Sequence, residues 1–397
     1  MMTNGESKTP PSSERGRWRV WVLVIGVVAV LVVLAFVVPQ MLKPTQPDAY
    51  EIGVVLPLSG NLAYVGKMEG DGMRLAVEEI NANGGINGVP LRLLFGDSQG
   101  KPDVGVTATQ HLMTGDGVNV VVGSISSVVL GMKPVVVRNG GILIGCCMHP
   151  DFYRDSPNVF RFYEGVEDEA RGFVEYLSSV ASKESKPRVG ILYVEVPNVV
   201  EQIEDYIRPG IAKAGLDFVV MEPYRLSDKE FRDKILKIRA AKLTHLVVLG
   251  YGFLYPNIFR ELREQKVLPG VQLVGGWGFL YPNLPNEQLE DTVVVGPEYA
   301  FADSDKIALF HTRFKKRFGY GANFDAAMTY AAIELLAAGL RGSPDQSPSL
   351  ITESLRSLKK TQTLIGIVSV NDDGAMMFPV GVGTFRSGRV RALGDTP

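Results

Sequence analysis

Histidine, cysteine and basic runs are scarce in this chain of 397 residues, and each scarcity excludes something. The four histidines, His111, His149, His245 and His311, include no pair in the His-Glu-x-x-His spacing of a metallohydrolase helix. No Gly-x-Ser-x-Gly elbow and no Walker-type phosphate loop occurs, so the common hydrolase and nucleotide-binding signatures are missing. Arginine and lysine form no stripe and the formal net charge is −2, which argues against nucleic acid as a partner. The two cysteines, Cys146 and Cys147, are adjacent and give no disulfide framework, so the fold must stand on its apolar core. With 46% hydrophobic and 21% charged residues, a core of ordinary size is available.

What is present begins with one long apolar run. Val20–Val38 is uncharged throughout and, at 1.5 Å per residue, spans roughly 28 Å, about the thickness of a bilayer's hydrocarbon layer. Arg15, Arg17 and Arg19 precede it and only Lys43 follows closely, while Trp18 and Trp21 stand where interfacial aromatics sit. The expectation is a cytoplasmic tail over 1–19, a transmembrane signal-anchor over 20–38, a proline-bearing linker over 39–48, and everything beyond on the outer side of the cell membrane. A cleaved signal peptide is the competing reading, but the run ends Ala35-Phe36-Val37-Val38-Pro39-Gln40, a poor cleavage site.

From Tyr50 the chain alternates short apolar runs with amphipathic stretches. Strands are expected at Tyr50–Leu56, Leu91–Phe95, Val118–Val122 and Ile142–Ile144, with helices at Glu69–Asn83, Val104–Met113 and Ser126–Arg138. The series starts again with a helix at Val166–Ala181 and strands at Val189–Val194, Phe218–Met221, Leu246–Leu249 and Leu273–Val274. Three helices follow, at Lys306–Phe318, Phe324–Leu340 and Leu350–Leu358. Ile365–Val370 and Val380–Phe385 read as a hairpin or edge strands. Continuous apolar strands separated by helices mean parallel sheets covered on both faces. Two such series predict an α/β protein of two doubly wound, Rossmann-like lobes, with a cleft beyond the carboxyl ends of their strands.

Several segments are specific. Gly53-Val54-Val55-Leu56-Pro57-Leu58-Ser59-Gly60 is followed by Gly70-Asp71-Gly72-Met73-Arg74-Leu75-Ala76-Val77-Glu78-Glu79-Ile80-Asn81-Ala82-Asn83-Gly84-Gly85-Ile86-Asn87-Gly88. Later come Val121-Val122-Gly123-Ser124-Ile125-Ser126-Ser127, Val159-Phe160-Arg161 and Phe324-Asp325-Ala326-Ala327-Met328-Thr329-Tyr330-Ala331-Ala332. Over about residues 50 to 390 the chain resembles the type I periplasmic binding proteins of the leucine/isoleucine/valine-binding class. That resemblance implies a non-enzymatic receptor that holds a small metabolite between two lobes and hands it to an ABC permease, without a cofactor. A ligand sensor, or an envelope scaffold on the same fold, are the alternatives. The lobes would be 48–162 plus 298–363 and 163–297 plus 364–397, with crossings near Phe160–Phe162, Gly296–Ala300 and Leu364–Ile367.

Candidate ligand contacts follow from strand ends and from the resemblance. Ser126 and Ser127 open a helix directly after a strand, where free N–H groups and the helix dipole attract an anion; an ordinary capping role is the alternative. The resemblance adds Ser59 and Tyr64 in the first strand–helix loop. It also points to Cys147 and Met148, where relatives carry a threonine. Cys, Cys, Met and His at 146–149 are all possible metal ligands, but neighbours on one short loop can rarely aim at one ion, so no metal is expected. In the second lobe Glu195 and the aromatics Tyr163, Tyr251 and Trp277 are expected at the cleft, the rings stacking on the ligand or packing between lobes. The carboxylate that amino-acid-binding relatives supply near Gly275–Phe279 is absent, so an α-amino acid would need Glu164 or Glu195 for its ammonium. The expected ligand is amino-acid-like or an aromatic or organic anion.

Overall fold

The computed structural model describes residues 24–26, 33, 48–148, 150–182, 186–280, 289–301, 304–343, 345, 347–386 and 389–393. The chain forms two units, Met1–Asp48 and Ala49–Pro397. In the first, only Val24–Gly26, Val33 and Asp48 are described, so the expected anchor over 20–38 lies almost wholly outside the described residues. Among the described residues no helix is long and apolar enough to cross a membrane.

The second unit is built on two open sheets. The first comprises β1 (Tyr50–Leu56), β2 (Leu91–Asp97), β3 (Val120–Ser124), β4 (Ile142–Cys146) and β5 (Val159–Arg161) in the order β2-β1-β3-β4-β5, all parallel. The second has the order β15-β14-β10-β9-β8-β6-β7. There β6 (Val189–Val194), β7 (Phe218–Tyr224), β8 (His245–Leu249), β9 (Gln272–Gly275) and β10 (Val293–Pro297) are parallel, and β14 (Val380–Arg386) and β15 (Arg389–Ala392) close the edge antiparallel.

The continuous apolar strands of the sequence are explained by burial on both faces. Along β3, Val120 and Val122 belong to one core and Val121 to another, because successive side chains leave a strand on opposite faces. All three are at most 4% exposed, and each such valine contributes about 1.5–3 kcal/mol by leaving water. One face of the first sheet is covered by α1 (Ala63–Ala82) and α9 (Phe324–Gly342), the other by α2 (Pro102–Thr114) and α3 (Ser126–Arg138). The second sheet carries α4 (Val166–Ser179), α5, α6 (Arg232–Ala240) and α7 (Tyr255–Glu264) in a separate core. Helix α5 runs in three consecutive pieces, Pro197–Glu201, the π-type turn Gln202–Ile207 and Arg208–Lys213.

Local chemistry sets the ends. After α1 the chain turns through Gly84 and Gly85 at φ 94° and 72°, and an added Cβ at Gly85 would collide with the Val89 carbonyl, so the Asn-Gly-Gly turn needs glycine there. Helix α8 (Asp305–Phe318) starts on Ser304, whose Oγ accepts from Ile307 N–H at 3.3 Å, and α9 starts on Asn323, whose Oδ1 accepts from Ala326 N–H at 3.1 Å.

The tail departs from the expected hairpin. Residues Gly366–Val370 (β12) pair antiparallel with β11 (Thr361–Thr363) and β13 (Met376–Met377) in a separate three-stranded sheet after α10 (Pro348–Ser357). Leu364, Ile365, Val368, Val370, Met376 and Phe378 are buried with the first core, and the chain joins the second sheet only at Val380. The third passage between lobes therefore falls after Phe378, not near Leu364–Ile367. The apolar run was legible, but its partner strand was not, because β12 and β14 read alike and differ only in what pairs with them.

Candidate functional site

A cleft of about 490 Å³ opens where the carboxyl ends of the two parallel sheets meet. That volume is in the range of small-molecule sites. Nearly every parallel strand sends its following loop to the cleft wall. Leu62 and Val65 come after β1, Gly100 after β2, and Ile125, Ser126 and Ser127 after β3; Cys146 ends β4, Met148 follows it, and Tyr163 follows β5. From the other lobe come Val196, Pro197 and Asn198 after β6, Leu226 after β7, Tyr251 after β8 and Trp277 after β9.

Six of the ten expected contacts line this cleft: Ser126, Ser127, Met148, Tyr163, Tyr251 and Trp277. Neither serine side chain caps α3; Ile125 precedes the helix with φ 68° and ψ 111°, a strained conformation for a β-branched residue, and aims the first turn at the cleft. Tyr251 and Trp277 meet edge to face, ring centres 5.6 Å apart.

Four expected contacts lie elsewhere. Cys147 is 1% exposed and packs in the core behind the first sheet, while Cys146 lines the cleft; the two alternate because adjacent strand residues face opposite ways. Neither forms a disulfide, and His149 lies outside the described residues. Ser59 Oγ donates to Asp97 Oδ2 at 2.5 Å, and Asp97 also accepts from the N–H groups of Leu58, Ser59 and Gln99. Against burial, which raises it, those bonds hold the Asp97 carboxyl below its ordinary range, so Ser59 fixes the loop and does not face the cleft. Tyr64 is 42% exposed and outside the lining. The Glu195 side chain is 53% exposed and its Oε2 lies 3.8 Å from Arg225 Nε, so it cannot serve a buried ammonium. Glu164 is buried and both its carboxyl oxygens lack partners among the described residues, yet it too is absent from the cleft lining.

The acids that do reach the cleft are Glu69 and Asp325. Glu69 is 4% exposed; Ser124 Oγ donates to its Oε2 at 2.6 Å. Burial first, then the charge of Asp325, pushes the Glu69 carboxyl well above its ordinary value. Asp325 Oδ2 accepts from Asn323 Nδ2 at 2.9 Å, so the residue that starts α9 also orients its acid. Both acids were visible in the sequence as misfits. Glu69 lies four residues before Met73, on the apolar face of α1, and Asp325 stands in the first turn of a mostly apolar helix.

A second acid organises the opposite wall from behind. Glu169 on α4 accepts from Trp277 N–H at 2.8 Å through Oε1, and from Gln202 Nε2 through Oε2. An added Cβ at Gly276 would strike Glu169 Oε1, so glycine there lets the Trp277 backbone reach its anchor.

The model of one protein family, described as periplasmic binding protein, matches residues 49–389. The chain belongs to the periplasmic binding protein family. Among relatives, the Leu/Ile/Val-binding protein homolog 3 of Brucella melitensis is 26% identical over 333 residues, 83% of this chain and 89% of its own. The Leu/Ile/Val-binding protein BraC3 of Rhizobium johnstonii is 26% identical over 331 residues, 81% of this chain and 88% of its own. Two solved structures share the fold. The substrate-binding protein LivJ of Streptococcus pneumoniae, in complex with isoleucine, superposes with a TM-score of 0.72 at 22% identity, covering 87% of this chain and 98% of LivJ. A solute-binding protein of Rhodopseudomonas palustris in complex with 3,4-dihydroxybenzoic acid gives 0.77 at 16% identity, covering 87% and 96%. This periplasmic binding protein thus shares its family with proteins named for binding leucine, isoleucine and valine.

Proposed function

We propose that this protein captures a small solute with an apolar or aromatic body in its interlobe cleft and presents it to an ABC permease. One observation carries the proposal: the strand-end loops of both sheets converge on a single cleft of about 490 Å³. A ligand touching both walls favours closure by the difference between its contacts in the two states, and a membrane partner can sense that difference. Relatives named for leucine, isoleucine and valine, and neighbours holding isoleucine or a benzoate, support a ligand of this size. The cleft is open and not packed with side chains, which favours a receptor over a scaffold that has lost its ligand.

The run Val20–Val38 supports tethering to the membrane, with the lobes outside the cytoplasm. Intact mass of the protein from washed membranes tests this; a chain beginning after residue 39 and free in the soluble fraction would remove the anchor. Capture is tested by melting the full-length protein in detergent against a metabolite library. A ligand at a hundred times its Kd adds about 2.7 kcal/mol of stability, and a broad library that shifts nothing would overturn the receptor reading.

A further inference from the structure

We propose that the ligand carries a cationic amine, and that the Glu69 carboxyl on the first-lobe wall is the group that meets it. This deepens the receptor reading and rests on it. Three observations converge.

The first is charge. Among the described residues no lysine, arginine or histidine lines the cleft, and its two carboxylic acids are Glu69 and Asp325. An anion entering here finds no counter-cation and bears an uncompensated desolvation cost. The first turns of α1, α3, α5 and α9 reach the cleft wall, and they favour a negative group only as partial charges.

The second is an open acceptor. Glu69 is 4% exposed and lines the cleft, and Ser124 Oγ supplies the one hydrogen bond that its carboxyl receives, at 2.6 Å on Oε2. Among the described residues nothing donates to Oε1. An ammonium entering the cleft can donate to Oε1 in a charge-assisted hydrogen bond, which is stronger than a neutral one.

The third is the field that neighbouring groups record. The groups facing Glu69 are Asp325 on α9, Cys146 at the end of β4 and Ser124 at the end of β3. Burial and then Glu69 and Asp325 push the Cys146 thiol well above its ordinary value; burial and then Asp325 do the same to the Tyr299 phenol. Glu69 and Asp325 thus lie close enough together to act on the same neighbouring thiol. Opposite them stand Tyr251 and Trp277, whose ring faces attract cations. Docking a cation on a protonated Glu69 releases that proton to solvent, so binding tightens as pH rises.

The test uses matched sets of one skeleton and three charges, titrated calorimetrically into the full-length protein: 3-methylbutylamine, leucine and 4-methylpentanoate, and phenethylamine, phenylalanine and 3-phenylpropanoate. The expected result is that an amine binds at least tenfold tighter than its matched acid and zwitterion at pH 7.5. It weakens toward pH 5, and releases a proton as judged from two buffers of different ionisation enthalpy. Glu69→Gln should lower amine affinity at least tenfold while the melting temperature holds or rises, and Asp325→Asn should lower it less. Tighter binding by leucine, phenylalanine or either acid overturns the cation and leaves the receptor standing. Failure of both amines overturns it too, as does unchanged amine affinity in a folded Glu69→Gln protein. Only the silent library of the preceding test removes the receptor as well.

Discussion

The two walls of the cleft are built on the same architecture, and only one of them carries carboxylic acids. The first-lobe wall holds the charge, with Glu69 and Asp325, a thiol from Cys146 and the serine-bearing start of α3. The second-lobe wall holds apolar and aromatic surface, Val196, Pro197, Leu226, Tyr251 and Trp277, with Asn198 as its polar side chain. Its acid, Glu169, is withdrawn behind the wall, where it holds the Trp277 backbone and not the ligand. Two copies of one topology can thus divide a recognition task, because the strand-end loops vary while the strands that aim them stay fixed. One lobe sets the sign of charge, and the other sets shape and stacking.

The joint between the walls gives the largest expected effect. Arg161 ends β5 and is buried, with Nη1 on Glu167 Oε1 at 2.8 Å and Nη2 on Asp168 Oδ2 at 3.3 Å, across the first passage into α4. Its guanidinium also lies 4.9 Å from the Tyr153 ring centre. Arg161→Met removes the cation and leaves the acids facing one another, which should cost about 3–5 kcal/mol in urea unfolding. A loss below about 1 kcal/mol would mean that the lobes are joined by packing alone, and that the division of chemistry between them is independent of this ionic link.

A smaller effect separates the walls by pH. Burial raises the Glu169 carboxyl to about 7, against the hydrogen bonds from Gln202 and Trp277 N–H. The folded state then keeps a proton that the unfolded chain gives up near 4.5, so stability is full below that pH and falls as pH rises toward 7. Glu169 alone contributes about 3 kcal/mol to this fall. Glu69 and Glu164, both raised first by burial, act in the same direction. Asp71 and Asp97 are held low and act in the opposite sense only at more acid pH. Urea midpoints at pH 5 and pH 8 should show the loss, and Glu169→Gln should flatten the slope. Equal midpoints in the parent protein would mean that these acids are better solvated than their burial implies.

Much of this architecture could be read from the chain because periodicity survives burial. The parallel strands, the intervening helices and the Asn81–Gly88 turn are local patterns, and the strand ends that aim Ser126, Ser127, Tyr251 and Trp277 follow from them. What could not be read depends on partners distant in sequence. Ser59 is polar and in the right loop, but Asp97 takes its hydroxyl from 38 residues away. Helix α1 begins at Ala63, before its apolar stripe, because Gly66 and Lys67 disguise its first turns. Cys147 directly follows a strand residue that lines the cleft, and the alternation carried past the strand end turns it into the core behind the sheet. Glu69 reads as a helix start, yet its spacing to Met73 marks it as an acid on the buried face of α1.

The smallest effect concerns the second wall alone. Trp277 is half-buried, lines the cleft and packs edge to face with Tyr251, while its backbone is fixed by Glu169. Trp277→Ala removes ring surface from ligand and Tyr251 but leaves the backbone anchor and the acids of the first lobe untouched. Affinity for whichever skeleton binds should fall by about 1–2 kcal/mol, roughly five- to thirtyfold, with the pH dependence of binding unchanged. A change in that pH dependence would show that Trp277 also screens Glu69 from water, and the two walls would then act as one electrostatic unit.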